Sequence, residues 1–400
     1  MAEQIISILH LASDEKFIDA ANYIFEKAFP GCNHFVIPKS KYNGKLIYVN
    51  RTGNVEIAPY NKNLIPYLSN LTQAYDCVIL HGITELNSTI FLSSEAKQKF
   101  VGILWGAELY IKENFSDRTF LGELTSAIHL PESKVQIIGN VKDKLRKLIY
   151  RKVLMTDGAA KLTANELRYF GVPYFEEFAF FADNRIISDK CRFIPFTYYP
   201  LEYIIKGIEN LTVSGNDILV GNSANFYNNH LEAFRKIEEV GLGTRKIIVP
   251  LSYGDLRYGK FICSKGIEMF QSSFIPIRDF VPLNDYILKL QGCGIAIMNH
   301  FRQQAVGTVF SMLWLGTKVY LSESNTLYHY LKRAGIHIFS IEKELDVKNQ
   351  YVFENLSELE IKNNRMILET QIKEETVIEN LRESIQLHFM LENRLGDHLI

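Results

Sequence analysis

The sequence predicts an α/β protein built from two doubly wound domains, and three observations carry that prediction. Short apolar runs suited to strands buried on both faces alternate with segments of helical periodicity. The 400-residue length fits about two domains of ordinary size. A unit of strand, polar turn, helix and next strand recurs in both halves, most plainly over residues 295–321. There 295–298 is an apolar run, and Asn299, His300, Phe301 and Arg302 break it. Residues 303–315 carry Ala305, Val306, Val309, Phe310, Leu313 and Trp314 at helical spacing. Gly316 stops the helix, and 318–321 is the next strand.

Taken in order, 5–9 reads as a first buried strand, 10–16 as a polar turn and 17–29 as a helix stopped by Pro30-Gly31. Residues 34–38 and 46–49 read as strands, 64–71 as a helix and 77–80 as a buried strand. Residues 94–100 read as a short helix and 101–104 as a strand. A charged, helical connection follows over 134–164, with the basic run KDKLRKLIYRK at 142–152. Such a run is either a solvated face or a docking patch for an anionic surface. The aromatics of 167–182 read as packing between the halves. The second half gives strands at 217–220, 246–250, 273–276, 295–298, 318–321 and 336–340. Helices are expected at 229–240, 259–269, 284–291, 303–315 and 326–334. The last forty or so residues read as helix. The domains are expected at 1–190 and 215–375, with a final helix, 375–400, returning to the first. Ligands in such sheets sit at the carboxyl ends of strands, so two sheets facing each other enclose a cleft.

Composition narrows the function. Hydrophobic residues make up 47% and charged residues 22%, enough apolar material for two cores. A net charge of −1 argues against a nucleic-acid binder that works by phosphate neutralisation. The five cysteines are scattered without CxxC spacing, which fits a reduced compartment and neither a zinc site nor a disulfide framework. The amino terminus has neither the charge pattern nor the apolar length of a signal peptide, and no stretch reaches the ~20 apolar residues that span a bilayer. A cytoplasmic protein is expected. No GxGxxG follows the first strand, and GxxxxGK[ST], GxSxG and DxD are absent. Those absences disfavour a dinucleotide-dependent dehydrogenase, a P-loop nucleotidase, the commonest α/β-hydrolase and a metal-dependent sugar-nucleotide enzyme. Residues 295–307 offer what a diphosphate needs instead: an Arg, polar side chains and a helix N-terminus. The plainer alternative is that Arg302 meets only solvent or a carboxylate.

Four stretches of the second half resemble one family: LVGNSANFYNNH (219–230), VPLSYGDLRYG (249–259), HFRQQAVGT (300–308) and LGTKVYLSESNTLYHYLKRAGI (315–336). SDEKFID (13–19) and WGAELY (105–110) extend the likeness into the first half. Together they resemble the TDP-N-acetylfucosamine:lipid II N-acetylfucosaminyltransferases, which transfer 4-acetamido-4,6-dideoxygalactose. The resemblance implies the GT-B architecture, two Rossmann-like domains facing across a cleft with the donor on the second. It also implies a TDP-sugar as substrate with no cofactor and no obligatory metal. The acceptor is then a polyprenyl-diphosphate-linked saccharide, met by peripheral association at the inner face of the bacterial cytoplasmic membrane. A non-catalytic nucleotide-sugar binder, or a transferase or epimerase using a UDP- or GDP-sugar, remains the alternative.

Within that frame, Gly221, Asn222 and Ser223 form a small polar turn that admits a phosphate or sugar, or is a plain tight turn. Tyr253, between Ser252 and Gly254, is placed to stack on thymine. His300, Arg302, Gln303 and Gln304 form the set for diphosphate and donor sugar, with Arg302 acting on the leaving group. Thr326 is expected to cap a helix while Asn325 reaches hydroxyls of ribose or sugar. Asn229 and His230 read as helix-start residues, and Tyr258 and Glu323 as weaker neighbours. An inverting enzyme also needs a base. Asp14, then Glu15, in the turn after the first strand, are its candidates, followed by His10, His81 and Glu108 at strand ends. A retaining enzyme needs none, and the residues do not decide the stereochemistry.

Overall fold

The structure, a computed structural model, describes residues 6–39, 45–104, 108–110, 114–116, 118–129, 158–279, 281 and 283–396. The chain divides into two compact units. The first comprises Met1–Phe115, Glu132–Tyr198 and Glu374–Ile400, and the second Ser116–Pro131 and Tyr199–Lys373. Residues 116–131 thus group with the second unit, although they lie inside the 1–190 stretch.

The first unit runs β1 (Ile8–Leu11), α1 (Ile18–Ala28), β2 (Asn33–Lys39), β3 (Val55–Pro59), α2 (Leu64–Ala74), β4 (Cys77–His81), α3 (Glu85–Ser93), β5 (Phe100–Ile103), α4 (Ala159–Glu166), β6 (Tyr169–Val172), α5 (Phe175–Asp183) and β7 (Arg192–Pro195). Its seven strands lie in the order β3-β2-β1-β4-β5-β6-β7, all parallel. The central strands β1, β4 and β5 are buried along their whole length, which is why they read as unbroken apolar runs. Helix Glu374–Gly396 completes this unit. Its Arg382 donates from Nε and Nη2 to the carbonyls of Ala28 and Lys27, closing the C-terminus of α1.

Three expectations fail here, each for a physical reason. Residues 46–49 form no strand, because the Asp14 carboxylate takes the N–H groups of Ile47, Tyr48 and Val49 that a ladder would need. The third strand is β3 instead. The short helix expected at 94–100 is a single 3-10 turn, Lys97–Lys99, and the longer helix before it, α3, was missed; it is capped by Thr84, whose Oγ1 accepts the Asn87 N–H at 3.2 Å. Its buried face carries Asn87, Ser88 and Thr89, polar types that hide helical periodicity. The aromatics of 167–182 build β6 and α5 and pack inside the first unit, Phe170 on Phe181 and Phe178 on Phe193.

The second unit runs β8 (Ile218–Val220), α6 (His230–Val240), β9 (Ile247–Pro250), α7 (Leu256–Phe270), β10 (Phe274–Ile277), α8 (Leu283–Gln291), β11 (Ile295–Met298), α9 (Val306–Leu315), β12 (Lys318–Leu321), α10 (Thr326–Ala334), β13 (Phe339–Ser340) and α11 (Glu358–Ile372). The sheet order is β10-β9-β8-β11-β12-β13, again all parallel. Its core joins Ile218, Val220, Val249, Ile295 and Ile297 of the sheet to Phe234 of α6 and Tyr258 of α7. Each such side chain contributes about 1.5–3 kcal/mol when fully buried. Helix α9 begins at Val306, three residues later than expected. Ala305 before it adopts φ 57°, ψ 27°, a left-handed conformation no helix can contain.

Candidate functional site

A parallel sheet binds ligands outside its carboxyl ends, where the strand order reverses. In the second unit that point lies between β8 and β11. The turn after β8 and the turn after β11 meet there and are tied side chain to side chain. Asn228 is the knot. Its Oδ1 accepts the Asn222 backbone N–H at 2.8 Å, and its Nδ2 reaches the Asn225 carbonyl at 3.1 Å. The same Oδ1 lies 2.9 Å from His300 Nε2. Asn222 Oδ1 in turn faces His300 Nε2 and Gln304 Nε2, each at 3.3 Å. Gly221 makes this approach possible. Its φ is +66°, and a Cβ there would fall 2.6 Å from Asn228 Oδ1 and 2.8 Å from His230 Nε2.

The turn after β9 joins the same cluster. Asn222 Nδ2 donates to the Tyr253 hydroxyl at 3.0 Å, while most of the Tyr253 ring stays exposed. Gly254, at φ +112°, lies against Ala224, whose carbonyl would be 2.4 Å from any Cβ there. Ser252 is half-buried beside them. Thus Gly221, Asn222, Tyr253, His300 and Gln304 share one network. Ser223 joins it through its hydroxyl, which accepts from Asn228 Nδ2 at 3.3 Å.

Arg302 is 9% exposed and sits with its guanidinium carbon 4.4 Å from the centre of the Tyr227 ring. Such stacking fixes the plane of the fork that a bidentate contact requires. Its Nη1 also donates to the Gln303 carbonyl at 3.4 Å. Gln303 is buried and leads into Ala305 and α9, a ten-residue helix whose first N–H groups have no helical acceptor. Positive charge, a dipole end and free N–H groups therefore converge in one turn.

The two histidines of the site are fully buried. Burial, with His230 and Arg302 nearby, takes His300 down to about 3, and burial alone takes His230 to about 3. Both rings are neutral at physiological pH, so neither supplies charge to a phosphate. His230 Nδ1 meets the Tyr258 hydroxyl at 3.0 Å. Further along, the cap expected of Thr326 is made by Asn325. Asn325 caps α10, its Oδ1 accepting the Leu327 N–H at 3.0 Å, and Thr326 is the first helical residue. Glu323 pairs with Lys343 at 2.8 Å.

In the first unit, Asp14 is placed unlike a free base. Its carboxylate pairs with Lys39 and accepts the N–H groups of Ile47, Tyr48 and Val49. Burial raises its pKa, but Lys39 and the three N–H groups outweigh that, and it lies below the usual value. A carboxylate so occupied is a weak proton acceptor. Glu15 follows it, half-buried, with its backbone N–H bonded to the Ser13 carbonyl. His10 and His81 form a buried chain rather than a cleft-facing pair. Asn33 Nδ2 donates to the carbonyls of Phe25 and Phe29, so its Oδ1 must face His10 Nε2, 3.1 Å away. His10 Nδ1 then accepts from His81 Nε2 at 2.9 Å, and His81 Nδ1 accepts from the Tyr198 hydroxyl at 3.2 Å. The basic run 142–152 lies outside the described residues. Among the described residues no cluster of His, Cys, Asp or Glu could hold a metal ion, and no helix is long and apolar enough to cross a membrane.

Asn228 and Tyr227 were not singled out in the sequence. Both fall in the NFYNNH stretch, but nothing in their spacing separates a buried organising amide from a surface one.

Comparison with known proteins bears on the fold and the class of activity. Residues 179–368 match the family described as 4-alpha-L-fucosyltransferase glycosyl transferase group 56. Among solved structures, the fold is similar to sucrose-phosphate synthase from Thermosynechococcus elongatus, with a TM-score of 0.59 and 9% identity over 96% of this chain and 100% of that one. Anabaena HepE, solved with UDP and glucose, matches with a TM-score of 0.59 and 10% identity over 95% and 99%. A glycosyltransferase from Rickettsia africae matches with a TM-score of 0.57 and 13% identity over 96% and 97%. The match over residues 179–368 and the likeness in fold agree on a glycosyltransferase of the GT-B fold, two Rossmann-like units.

Proposed function

We propose that the protein transfers a 6-deoxyamino sugar, N-acetylfucosamine, from a TDP donor to a polyprenyl-diphosphate-linked saccharide. The observation that carries this reading is Arg302, stacked on Tyr227 at the entrance to α9. The acceptor hydroxyl oxygen bonds to the anomeric carbon while the bond from that carbon to the diphosphate oxygen breaks. The electron pair leaves with the diphosphate, whose added charge falls where Arg302 and the first N–H groups of α9 converge. The Gln303 carbonyl accepts from Arg302 Nη1 at 3.4 Å, and Tyr253 offers an exposed ring for the base. If the reaction inverts, the hydroxyl proton goes to a carboxylate base; if it retains, the proton goes to the departing diphosphate oxygen. Glu15 is now the leading candidate for that base, because the Asp14 carboxylate is already taken.

The matched fucosyltransferase description supports a fuco-configured sugar, and the resemblance of HFRQQAVGT and LSYG supports the TDP donor. A lipid-linked acceptor requires contact with a membrane. That contact is peripheral, with basic residues of 142–152 each contributing about 1 kcal/mol at an anionic surface. The deciding experiment is mass spectrometry of a lipid-linked acceptor after incubation with a panel of TDP-, UDP- and GDP-sugars. Transfer from the TDP-sugar is expected. Transfer only from UDP or GDP donors, or binding without transfer, refutes the reading. Flotation on liposomes should rise with anionic lipid and fall with salt.

A further inference from the structure

The hydrogens of the β8–β11 network can be placed one after another. The Asn222 backbone N–H can only donate, and the Asn225 carbonyl can only accept, so the Asn228 amide has one orientation. An acceptor oxygen then faces His300 Nε2 at 2.9 Å, and that nitrogen must carry the ring hydrogen. The ring is neutral, so its other nitrogen, Nδ1, holds a lone pair. Nδ1 is buried and has no hydrogen-bond partner. The same reasoning runs outward. The His300 Nε2–H also points at Asn222 Oδ1, which fixes that oxygen as an acceptor, and it receives Gln304 Nε2. The Gln304 amide oxygen is thereby turned away, and it too is buried without a partner.

Two orphaned polar atoms of this network are therefore both acceptors. A phosphate oxygen is also an acceptor, so neither atom can hold one. Resting on the reading of this face as the nucleotide-sugar site, we propose that His300 Nδ1 and Gln304 Oε1 select the sugar by accepting hydrogen bonds from its hydroxyl or amide N–H groups. The diphosphate is left to Arg302 and α9, and Asn228 is a positioning residue that acts through the His300 tautomer. Solvent reaches neither atom in this arrangement, so sugar binding includes a shift of the half-buried Gln304 side chain. A site with buried acceptors discriminates sharply against an analogue lacking the matching donor group, by 10⁴-fold or more at full effect.

The test uses the full chain and three probes: TDP alone, TDP-4-acetamido-4,6-dideoxygalactose, and analogues of that sugar nucleotide with one hydroxyl or the acetamido group replaced by hydrogen. Calorimetry should show that His300→Gln and Gln304→Met bind TDP within about threefold of the parent but lose at least tenfold of the affinity the sugar adds. At least one deoxy analogue should bind the parent tenfold or more weakly and the variants no more weakly than the full donor does. Long-range ¹H–¹⁵N spectra of the unliganded parent should show His300 Nδ1 as the unprotonated nitrogen, and Asn228→Ala, which removes the acceptor facing Nε2, should disturb that pattern. Equal loss of TDP and TDP-sugar affinity in the variants, or an Nδ1–H tautomer in the parent, overturns the proposal. If the parent binds no TDP at all, the nucleotide-sugar reading falls and takes this proposal with it. If TDP binds and every deoxy analogue matches the full donor, this proposal alone falls.

Discussion

At the scale of single residues, Arg302 and Asp14 separate chemistry from scaffolding. Losing one charge-assisted donor to a developing anion costs about 3 kcal/mol, on the order of a hundredfold in kcat. Arg302→Ala should show that loss, and Arg302→Lys should recover only part, since a point charge cannot reproduce a planar fork. Because the guanidinium is buried on Tyr227, the alanine variant should also melt somewhat lower. Near wild-type turnover in a folded Arg302→Ala protein would remove it from the mechanism. Asp14→Ala should behave in the opposite way. Hydrogen bonds to a charged group are worth about 1.5–3 kcal/mol, so the variant should lose about 2 kcal/mol and gain protease sensitivity at residues 45–50. Its turnover, corrected for unfolded protein, should hold. A loss of 10²–10⁴ in kcat at unchanged stability would restore Asp14 as the base. The residue types of the site were legible in the sequence, but their division of labour was not. Nothing in the turn after β1 says that its carboxylate spends itself on a loop thirty-odd residues away.

At the scale of elements, the strands were the most readable, because a strand buried on both faces is an unbroken apolar run. Residues 295–298 and 318–321 coincide with β11 and β12. What failed were elements whose signal is polar. Helix α3 hides Asn87, Ser88 and Thr89 in its packed face, and α9 starts late because Ala305 turns left-handed. Helix α7 shows how packing overrides propensity. Gly266 lies flat on Phe274 of β10, and a Cβ would come 2.1 Å from the ring. Alanine normally gains about 1 kcal/mol over glycine inside a helix. Here overpacking costs about 1–3 kcal/mol and should win. Gly266→Ala should therefore lower the denaturation midpoint, and a raised midpoint would mean that the ring moves aside freely.

At the scale of the whole molecule, both units bury neutral histidines. Burial takes His81, His230 and His300 to about 3 and His388 to about 4, and holds His10 well below its usual value. In the unfolded chain each titrates near 6.5. Between those values the unfolded state binds more protons, so stability is full above about pH 6.5 and is lost as pH falls below it. Each histidine removes up to about 1.4 kcal/mol per pH unit. The depressed Asp14 and Glu360 add to the loss at still lower pH. Melting temperature should stay level from pH 8 to 7 and fall steeply from 6 to 5. A level profile down to pH 5 would mean that these rings are charged in the native state. None of this burial was visible in a count of ten histidines.

The return of helix Glu374–Gly396 to the first unit has a consequence in time. That unit draws on segments before residue 116 and after residue 373, and the roughly 175 residues 199–373 are made between its pieces. At 5–20 residues per second, a ribosome needs about 9–35 s to cross them. Throughout that interval the carbonyls of Lys27 and Ala28 and the face of Tyr169 that His388 later covers wait without their partners. The second unit, nearly continuous in sequence, can close while the first is still incomplete. A nascent chain arrested at residue 373 should therefore protect its β8–β13 sheet from protease, remain cleavable around α1, and become resistant there only when residues 374–396 are supplied.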